Sequence, residues 1–416
     1  MNHKLYFRVE LNSIESSYSF RGKYLNISFT NDNNPYMTFI SDENGFLIWK
    51  SFDQRANEFY HILLSSSQIN SDTFNFTNLG FTIIFFDKQK ELLLCGKDRL
   101  GLSSLTFTQD PFIIASHDLV GSTEHSPGIT IFTANEDDNQ KISFPLYIRN
   151  EDTINHTIAV NDAIDGMINC LLRNVKPDFP VSFSGGLDST VIAGILGLSG
   201  SKTVKLINFC ATDNAPDRLA ARASFEELKA SFPNTNYELL EFTGNESSMF
   251  SELDLIKSIL IPCEVTEMNL NIAMTLRSSL QNVDSFGVHS GLGADELLCG
   301  YMRMKKDSNA NDEIAEHMNR LWTRNGGRDD RVAMDIGKIL VCPFLSDEFI
   351  NFALSLPVNF LIRTDLPRGE GEKWILRQVA LKLGLQSAAK RPKQAMQFGS
   401  RVAKTNWRGT DKIPQS

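Results

Sequence analysis

Val181-Ser182-Phe183-Ser184-Gly185-Gly186-Leu187-Asp188-Ser189-Thr190-Val191-Ile192-Ala193 is the stretch on which the reading of this chain turns. It opens with a short apolar strand, Val181 to Phe183, entered through Pro180. An apolar helix follows from about Thr190 to Leu198. Between them stands S-G-G-L-D-S. The glycines let the backbone approach an anion and aim consecutive N–H groups at it. The helix behind them adds the partial positive charge of its N-terminus. Ser184 and Ser189 can donate hydroxyl hydrogen bonds. Asp188 cannot serve a phosphate directly, because like charges repel; a carboxylate there fits if Mg²⁺ sits between the two. S-G-G alone is often a turn of structural use only. With a strand before it, a helix after it and an Asp at this offset, it reads as a phosphate-binding turn.

The surrounding chain repeats the same alternation. Upstream, Ile164, Met167, Ile168, Leu171 and Leu172 are spaced by three and four, which predicts a helix over Asn161 to Leu172, ended by Pro177 and Pro180. Downstream come a strand at Val204 to Phe209, a helix at Ala220 to Leu228 and a strand at Tyr237 to Phe242. Strands alternating with helices predict an α/β fold with a doubly wound parallel sheet. Residues 310–385 read as mainly helical. A second glycine-rich run, Ser290-Gly291-Leu292-Gly293-Ala294-Asp295-Glu296, follows a strand-like Phe286-Gly287-Val288-His289. It places a tight turn at the carboxyl end of a strand, where doubly wound sheets hold ligands. Asp295 is the natural second carboxylate for a metal; taken alone, the run reads as well as a turn plus an acidic helix start.

The N-terminal part reads differently. Phe81 to Phe86, Glu91 to Cys95 and Phe112 to Ala115 are short, apolar, and β-branched or aromatic, and polar turns such as Asp87 to Lys90 separate them. This predicts a β-rich, sandwich-like domain over 1–150, with the polar stretch Arg149 to Thr153 as boundary and a second domain over 151–416. Two domains also suit a length of 416 residues. A composition of 42% hydrophobic and 22% charged residues is that of a soluble globular protein. The net charge of −9 offers no electrostatic footprint for a nucleic-acid backbone. Six cysteines stand singly, with no C-x-x-C pair, so neither a zinc site nor a disulfide framework is expected. No signal peptide and no bilayer-length apolar run is legible, and a cytoplasmic location is the expectation.

The order of motifs then carries a resemblance. S-G-G-L-D-S, followed by S-G-L-G-A-D-E-L-L-C-G-Y at Ser290 to Tyr301, resembles the synthetase domain of asparagine synthetases. Arg328-Asp329-Asp330-Arg331, Pro343-Phe344-Leu345, Phe352-Ala353-Leu354-Ser355-Leu356-Pro357, Lys373-Trp374-Ile375-Leu376-Arg377 and Arg391-Pro392-Lys393 continue it in order. Ala215-Pro216-Asp217-Arg218 and the tail Arg391 to Lys404 are similar to the asparagine synthetase domain-containing proteins in particular.

The resemblance implies an ATP-pyrophosphatase: a carboxylate such as aspartate is activated as acyl-AMP, then converted by ammonia to an amide. It implies ATP and Mg²⁺ as cofactors, with Asp188 and Asp295 holding the metal. Ser184, Gly185, Gly186 and Ser189 would cradle pyrophosphate. Phe209, Ser290 and Gly291 would lie against the nucleoside. Lys393 would meet the charge that develops on phosphate; on composition alone, Lys390, Arg391 and Lys393 read as a solvated basic patch. The partners expected are small molecules, with neither nucleic acid nor membrane, and a second copy of the chain as a homodimer.

The departures from the family pattern bear on activity. The N-terminal part resembles a class II glutamine amidotransferase domain at Arg21-Gly22, Asn44-Gly45 and Gly96-Lys97-Asp98-Arg99-Leu100-Gly101, of which the last is the close match. Such domains begin Met-Cys-Gly, and the cysteine's own α-amino group acts as its base. Here position 2 is Asn2 and no cysteine precedes Cys95, so glutaminase chemistry is expected to be absent unless the start lies upstream. Leu292 stands where the family's S-G-E-G has glutamate, and Ile339 to Ser346 lacks the glutamate and arginine of E-x-R-x-P-F-L-D. These losses leave two other readings open. One is an ATP-binding regulatory or assembly protein without catalysis, and the other is an adenylating ligase with a different acceptor, such as a β-lactam-forming enzyme.

Overall fold

In the strands Gly45–Ser51 and Phe81–Asp87 every residue is buried, Lys50, Ser51, Thr82 and Asp87 among them, and the pleat sorts their side chains by parity. Phe46, Ile48, Ile84 and Phe86 enter one core with Phe7, Val9 and Leu11 of the strand Tyr6–Asn12. Leu47, Trp49, Ile83 and Phe85 enter another, closed by Phe59, Tyr60 and Leu63 of the helix Ala56–Ser65. The first core lies between two six-stranded antiparallel sheets, and the helix covers the outer face of one of them. This is the sandwich predicted from the N-terminal strands.

The computed structural model describes residues 6–30, 34–51, 54–74, 80–116, 123–134, 138–145, 147–261, 263–301, 310–367 and 369–407. The chain divides into two compact units. The first comprises Met1–Leu146 with two returning segments, Lys257–Val265 and Arg320–Ile339. The second comprises Tyr147–Ile256, Thr266–Asn319 and Leu340–Ser416. No described helix is long and apolar enough to cross a membrane.

The returning segments are tied into the first unit by a buried ionic network. Lys50 pairs with Asp330, whose other oxygen accepts the Ser104 N–H at 2.7 Å. Lys97 pairs with Glu124 at 2.5 Å; Arg331 joins Glu124 and donates to Cys263 Sγ at 2.8 Å. The R-D-D-R run therefore serves the packing of this unit. Buried charges are tolerated only when paired in this way.

The second unit contains a five-stranded sheet in the order 236–243, 203–210, 181–182, 287–289, 339–341. Its registered pairs are parallel, with Val181 opposite both Leu206 and His289. The chain winds outward from Val181–Ser182 in one direction through Thr203–Cys210 and Asn236–Thr243. Gly287–His289 returns on the other side. The order reverses between Val181–Ser182 and Gly287–His289, and at such a reversal a crevice opens beyond the carboxyl ends of the strands.

The helices flanking this sheet begin earlier than apolar spacing suggests. One runs Leu187–Leu198 and another Pro216–Ser231, the latter with proline in its first turn, where a missing N–H costs nothing. Arg149 is buried and donates to the carbonyls of Leu354 and Leu356, which satisfies the end of the helix Asp347–Ser355.

Candidate functional site

Both glycine-rich runs leave the sheet from the two strands that flank the order reversal. Val181–Ser182 feeds the turn at Ser184 to Gly186, and Gly287–His289 feeds Ser290 to Gly293. Gly185 has φ +65°, and a Cβ there would lie 2.3 Å from the Ala220–Ala221 backbone, so only glycine fits. Gly186 donates its N–H to Ser184 Oγ at 3.2 Å. The helix then starts at Leu187, so Asp188 and Ser189 occupy its first turn, where the backbone N–H groups have no helical acceptor. Arg391 donates to the Ser184 carbonyl at 3.3 Å and lies 3.5 Å from that of Gly185.

The two carboxylates meet at one lysine. Lys373 Nζ donates to Asp188 Oδ1 and Oδ2 at 2.6 and 2.8 Å and lies 2.9 Å from Asp295 Oδ1. Lys393 Nζ pairs with Asp295 Oδ2 and stands 4.7 Å above the Tyr301 ring. Room for this arrangement comes from glycine. A Cβ on Gly291 would come within 2.9 Å of Asp188 Cβ, and one on Gly300 within 2.0 Å of Asp295 Oδ1.

Burial opposes the charge on Lys373, yet Asp188 and Asp295 together hold its ammonium above the ordinary lysine range. The carboxylates split. Burial pushes Asp188 up despite Lys373, whereas for Asp295 the two lysines overcome burial and hold it below the usual range. Asp295 is hydrogen-bonded by both lysines, whereas Asp188 is hydrogen-bonded by Lys373 alone, feels Lys393 only through its charge, and is raised further by the charge of Asp295. Glu296 stays out of this exchange: burial and Asp295 push it up, and it accepts from the Gly293 N–H at 3.1 Å and the Tyr301 hydroxyl at 2.7 Å.

Hard carboxylate oxygens are the donors Mg²⁺ prefers. Asp295 Oδ1 is buried, and the Lys373 ammonium at 2.9 Å stands where a cation beside this oxygen would stand. Among the described residues no group of three or more His, Cys, Asp or Glu is placed to hold a metal ion, so a metal held by this pair would take its remaining ligands from phosphate and water. The two lysines already balance the two aspartates. A polyphosphate therefore brings uncompensated negative charge, which a divalent cation would offset.

The residues singled out in the sequence fall into place here as follows. Ser184, Gly185, Gly186, Asp188, Ser189, Ser290, Gly291, Asp295 and Lys393 gather about the crevice. Phe209 lies near the carboxyl end of the neighbouring strand, buried against Gly244, whose Cβ would stand 2.5 Å from its ring. Lys373 received no role from the sequence, although it opens the K-W-I-L-R run. Its backbone has φ +52°, uncommon for a side chain of its size and frequent at functional positions.

In the first unit, Asn2 lies outside the described residues. Cys95 is wholly buried in the strand Leu92–Lys97, and burial pushes its thiol up to about 12, which suits no nucleophile. Asn44-Gly45 forms the turn entering Gly45–Ser51. Asp98 is buried and accepts the N–H groups of Phe81, Leu100 and Gly101 at 3.2, 2.8 and 3.0 Å, so its carboxylate is occupied by its own backbone.

Comparison with known proteins identifies the family. The family model described as asparagine synthase matches residues 173–328 and 307–410, more than half of the chain. Asparagine synthetase domain-containing protein 1 of Mus musculus is 34% identical over 220 residues, covering 47% of this chain and 35% of that protein. Its counterpart in Bos taurus is 33% identical, covering 58% and 48%. The glutamine-hydrolyzing asparagine synthetase of Pongo abelii is 29% identical, covering 65% and 47%. The chain thus spans less than half the length of these relatives.

Proposed function

Because this chain belongs to the asparagine synthase family, we propose that it is an ATP-dependent carbon–nitrogen ligase that activates a carboxylate and passes the acyl group to ammonia. The observation that carries this reading is the convergence of a phosphate turn, two carboxylates and two lysines at the order reversal of the sheet.

A carboxylate oxygen of the substrate, aspartate by family membership, attacks the α-phosphorus of ATP. The bond to the β-phosphate breaks and pyrophosphate leaves. Ammonia then attacks the acyl carbon, AMP departs with the carbon–oxygen electrons, and a proton goes to solvent. The amides at Gly185 to Asp188 receive pyrophosphate oxygens. Asp188 and Asp295 would hold Mg²⁺, which would supply positive charge to the polyphosphate. Lys373, paired with both carboxylates, and Lys393, paired with Asp295, are suited to meet charge as it builds on the leaving group. Phe209, Ser290 and Gly291 border the nucleoside. Asparagine biosynthesis is the pathway this assignment implies.

A second reading, a nucleotide-binding protein without turnover, is favoured by Leu292, which puts an apolar side chain where the family has a carboxylate. Pyrophosphate release from ATP, screened across carboxylic acids with and without ammonium, separates the two. Ammonium-dependent release with aspartate is the expected result; release with no carboxylic acid tested, alongside intact MgATP binding, would establish the second reading. Asp188→Ala should weaken MgATP binding about tenfold or more by calorimetry, since even indirect losses at metal sites reach that scale.

A further inference from the structure

Three sequence runs come together under the phosphate turn. Ala215-Pro216-Asp217-Arg218 starts the helix Pro216–Ser231. Arg391 opens the R-P-K run, and Gly399 ends the short helix Met396–Gly399. Arg391 Nη2 donates to Asp217 Oδ1 at 2.8 Å, and both side chains are largely buried, with 17% and 7% of their surface exposed. Gly399 is required beside them, because a Cβ there would stand 2.2 Å from Asp217 Oδ1.

The other end of the guanidinium, Nη1, reaches the carbonyls of Ser184 and Gly185. Ser224, on the same helix as Asp217, also donates to the Gly185 carbonyl, at 3.3 Å. A trans peptide unit points its N–H opposite to its C=O. Donors that hold the Ser184 carbonyl on the helix side therefore aim the Gly185 amide to the opposite side, toward the crevice, and the same constraint on the Gly185 carbonyl turns the Gly186 amide to Ser184 Oγ. Arg391 is itself fixed from behind: Arg377 donates to the carbonyls of Ala389 and Arg391 at 2.8 and 3.0 Å and to that of Glu372, next to Lys373, at 2.7 Å. Two residues beyond Arg391 stands Lys393.

We propose that Arg391, clamped by Asp217, is a positioning residue: it aims the amides of the phosphate turn and fixes the segment that carries Lys393 to that turn. The inference rests on the ATP-site reading above. It assigns a task to the two motifs that distinguish this chain within its resemblance, and it uses no contact between Arg391 and nucleotide.

The test compares wild type with Arg391→Ala, Arg391→Lys and Asp217→Asn. Readouts are affinity for MgATP and for magnesium pyrophosphate by calorimetry, ATP–pyrophosphate exchange, thermal unfolding, and amide hydrogen exchange of residues 184–189 in ligand-free protein. Arg391→Ala should weaken pyrophosphate binding by about 10- to 100-fold, the scale on which supporting contacts act at such sites. It should speed amide exchange in the turn and lower kcat as well as raise KM, because Lys393 is displaced too. Arg391→Lys, which can reach the carboxylate or a carbonyl but cannot fork between them, should recover only part. Asp217→Asn should fall between wild type and Arg391→Ala. If Arg391→Ala binds pyrophosphate as wild type does and differs only in unfolding temperature, the residue is merely structural and the inference fails alone. If wild type binds neither probe, the ATP-site reading fails with it. Should Arg391→Ala not fold, the Arg391→Lys and Asp217→Asn affinities decide: both equal to wild type overturns the proposal.

Discussion

Replacing Lys373 by methionine would remove the ammonium between Asp188 and Asp295 while keeping most of the side chain's length. In the ligand-free protein two carboxylates would then face each other with only Lys393 to offset them. Breaking a buried ion pair from one side costs about 3–5 kcal/mol. Asp188 and Asp295 keep 21% and 17% of their side-chain surface in solvent, which weakens the effect. Roughly 2–3 kcal/mol is therefore expected, just under that range. At about 2–4 °C per kcal/mol for a unit of this size, the midpoint of unfolding should fall by about 5–10 °C. Mg²⁺ should restore part of the loss, and should stabilise the variant more than the wild type, because it supplies the charge the lysine gave. Turnover should drop about 10²- to 10³-fold, as when one electrostatic donor is lost. Thermal unfolding with and without Mg²⁺, together with ATP–pyrophosphate exchange, measures both. If Lys373→Met unfolds at the wild-type temperature and exchanges label as fast, the neutralising role is refuted.

Lys393→Met should cut exchange by about 10²- to 10³-fold with little change in ATP affinity, since the backbone amides and Mg²⁺ hold ground-state phosphate. Equal exchange rates for wild type and variant would remove Lys393 from the chemistry. Cys95 should not act as a glutaminase nucleophile, because it is buried as a thiol. Glutamate release from glutamine that is lost in Cys95→Ser would contradict that. Burial pushes the Asp217 carboxyl up to about 6 even with Arg391 alongside. The native state then binds a proton between about pH 6 and 4 where the unfolded chain does not, so wild type gains stability relative to Asp217→Asn as pH falls through that window. Urea unfolding of both proteins at two pH values tests the sign, and a constant difference would count against it.

The doubly wound sheet was legible because each of its elements has a local cause. Alternating apolar runs, Pro180 before one strand and the Ser184 to Ser189 turn after it announce themselves without tertiary information. Element starts were less legible. Leu187 to Ser189 belong to a helix, but the polar side chains of Asp188 and Ser189 break the apolar pattern, so apolar spacing is continuous only afterwards. Pro216 was readable as a first-turn proline, yet it stood out only as part of a motif. Lys373 was hidden for a different reason. Its partners lie far away in sequence, and neither its positive φ nor its burial follows from its neighbours. The same holds for Asp330, whose place beside Lys50 no linear reading reveals.

That last pairing bears on how the protein is made. Lys50 waits for Asp330 across 280 positions, Ser104 for the same carboxylate across 226, and Glu124 for Arg331 across 207. A ribosome adds about 5–20 residues each second, so the emerging sandwich spends on the order of 10 to 60 seconds with a lysine destined for its interior and no counter-ion for it. Through that interval the nascent strands must stay open at that point or admit water there. The first unit begins synthesis first and finishes folding only after much of the second has left the ribosome.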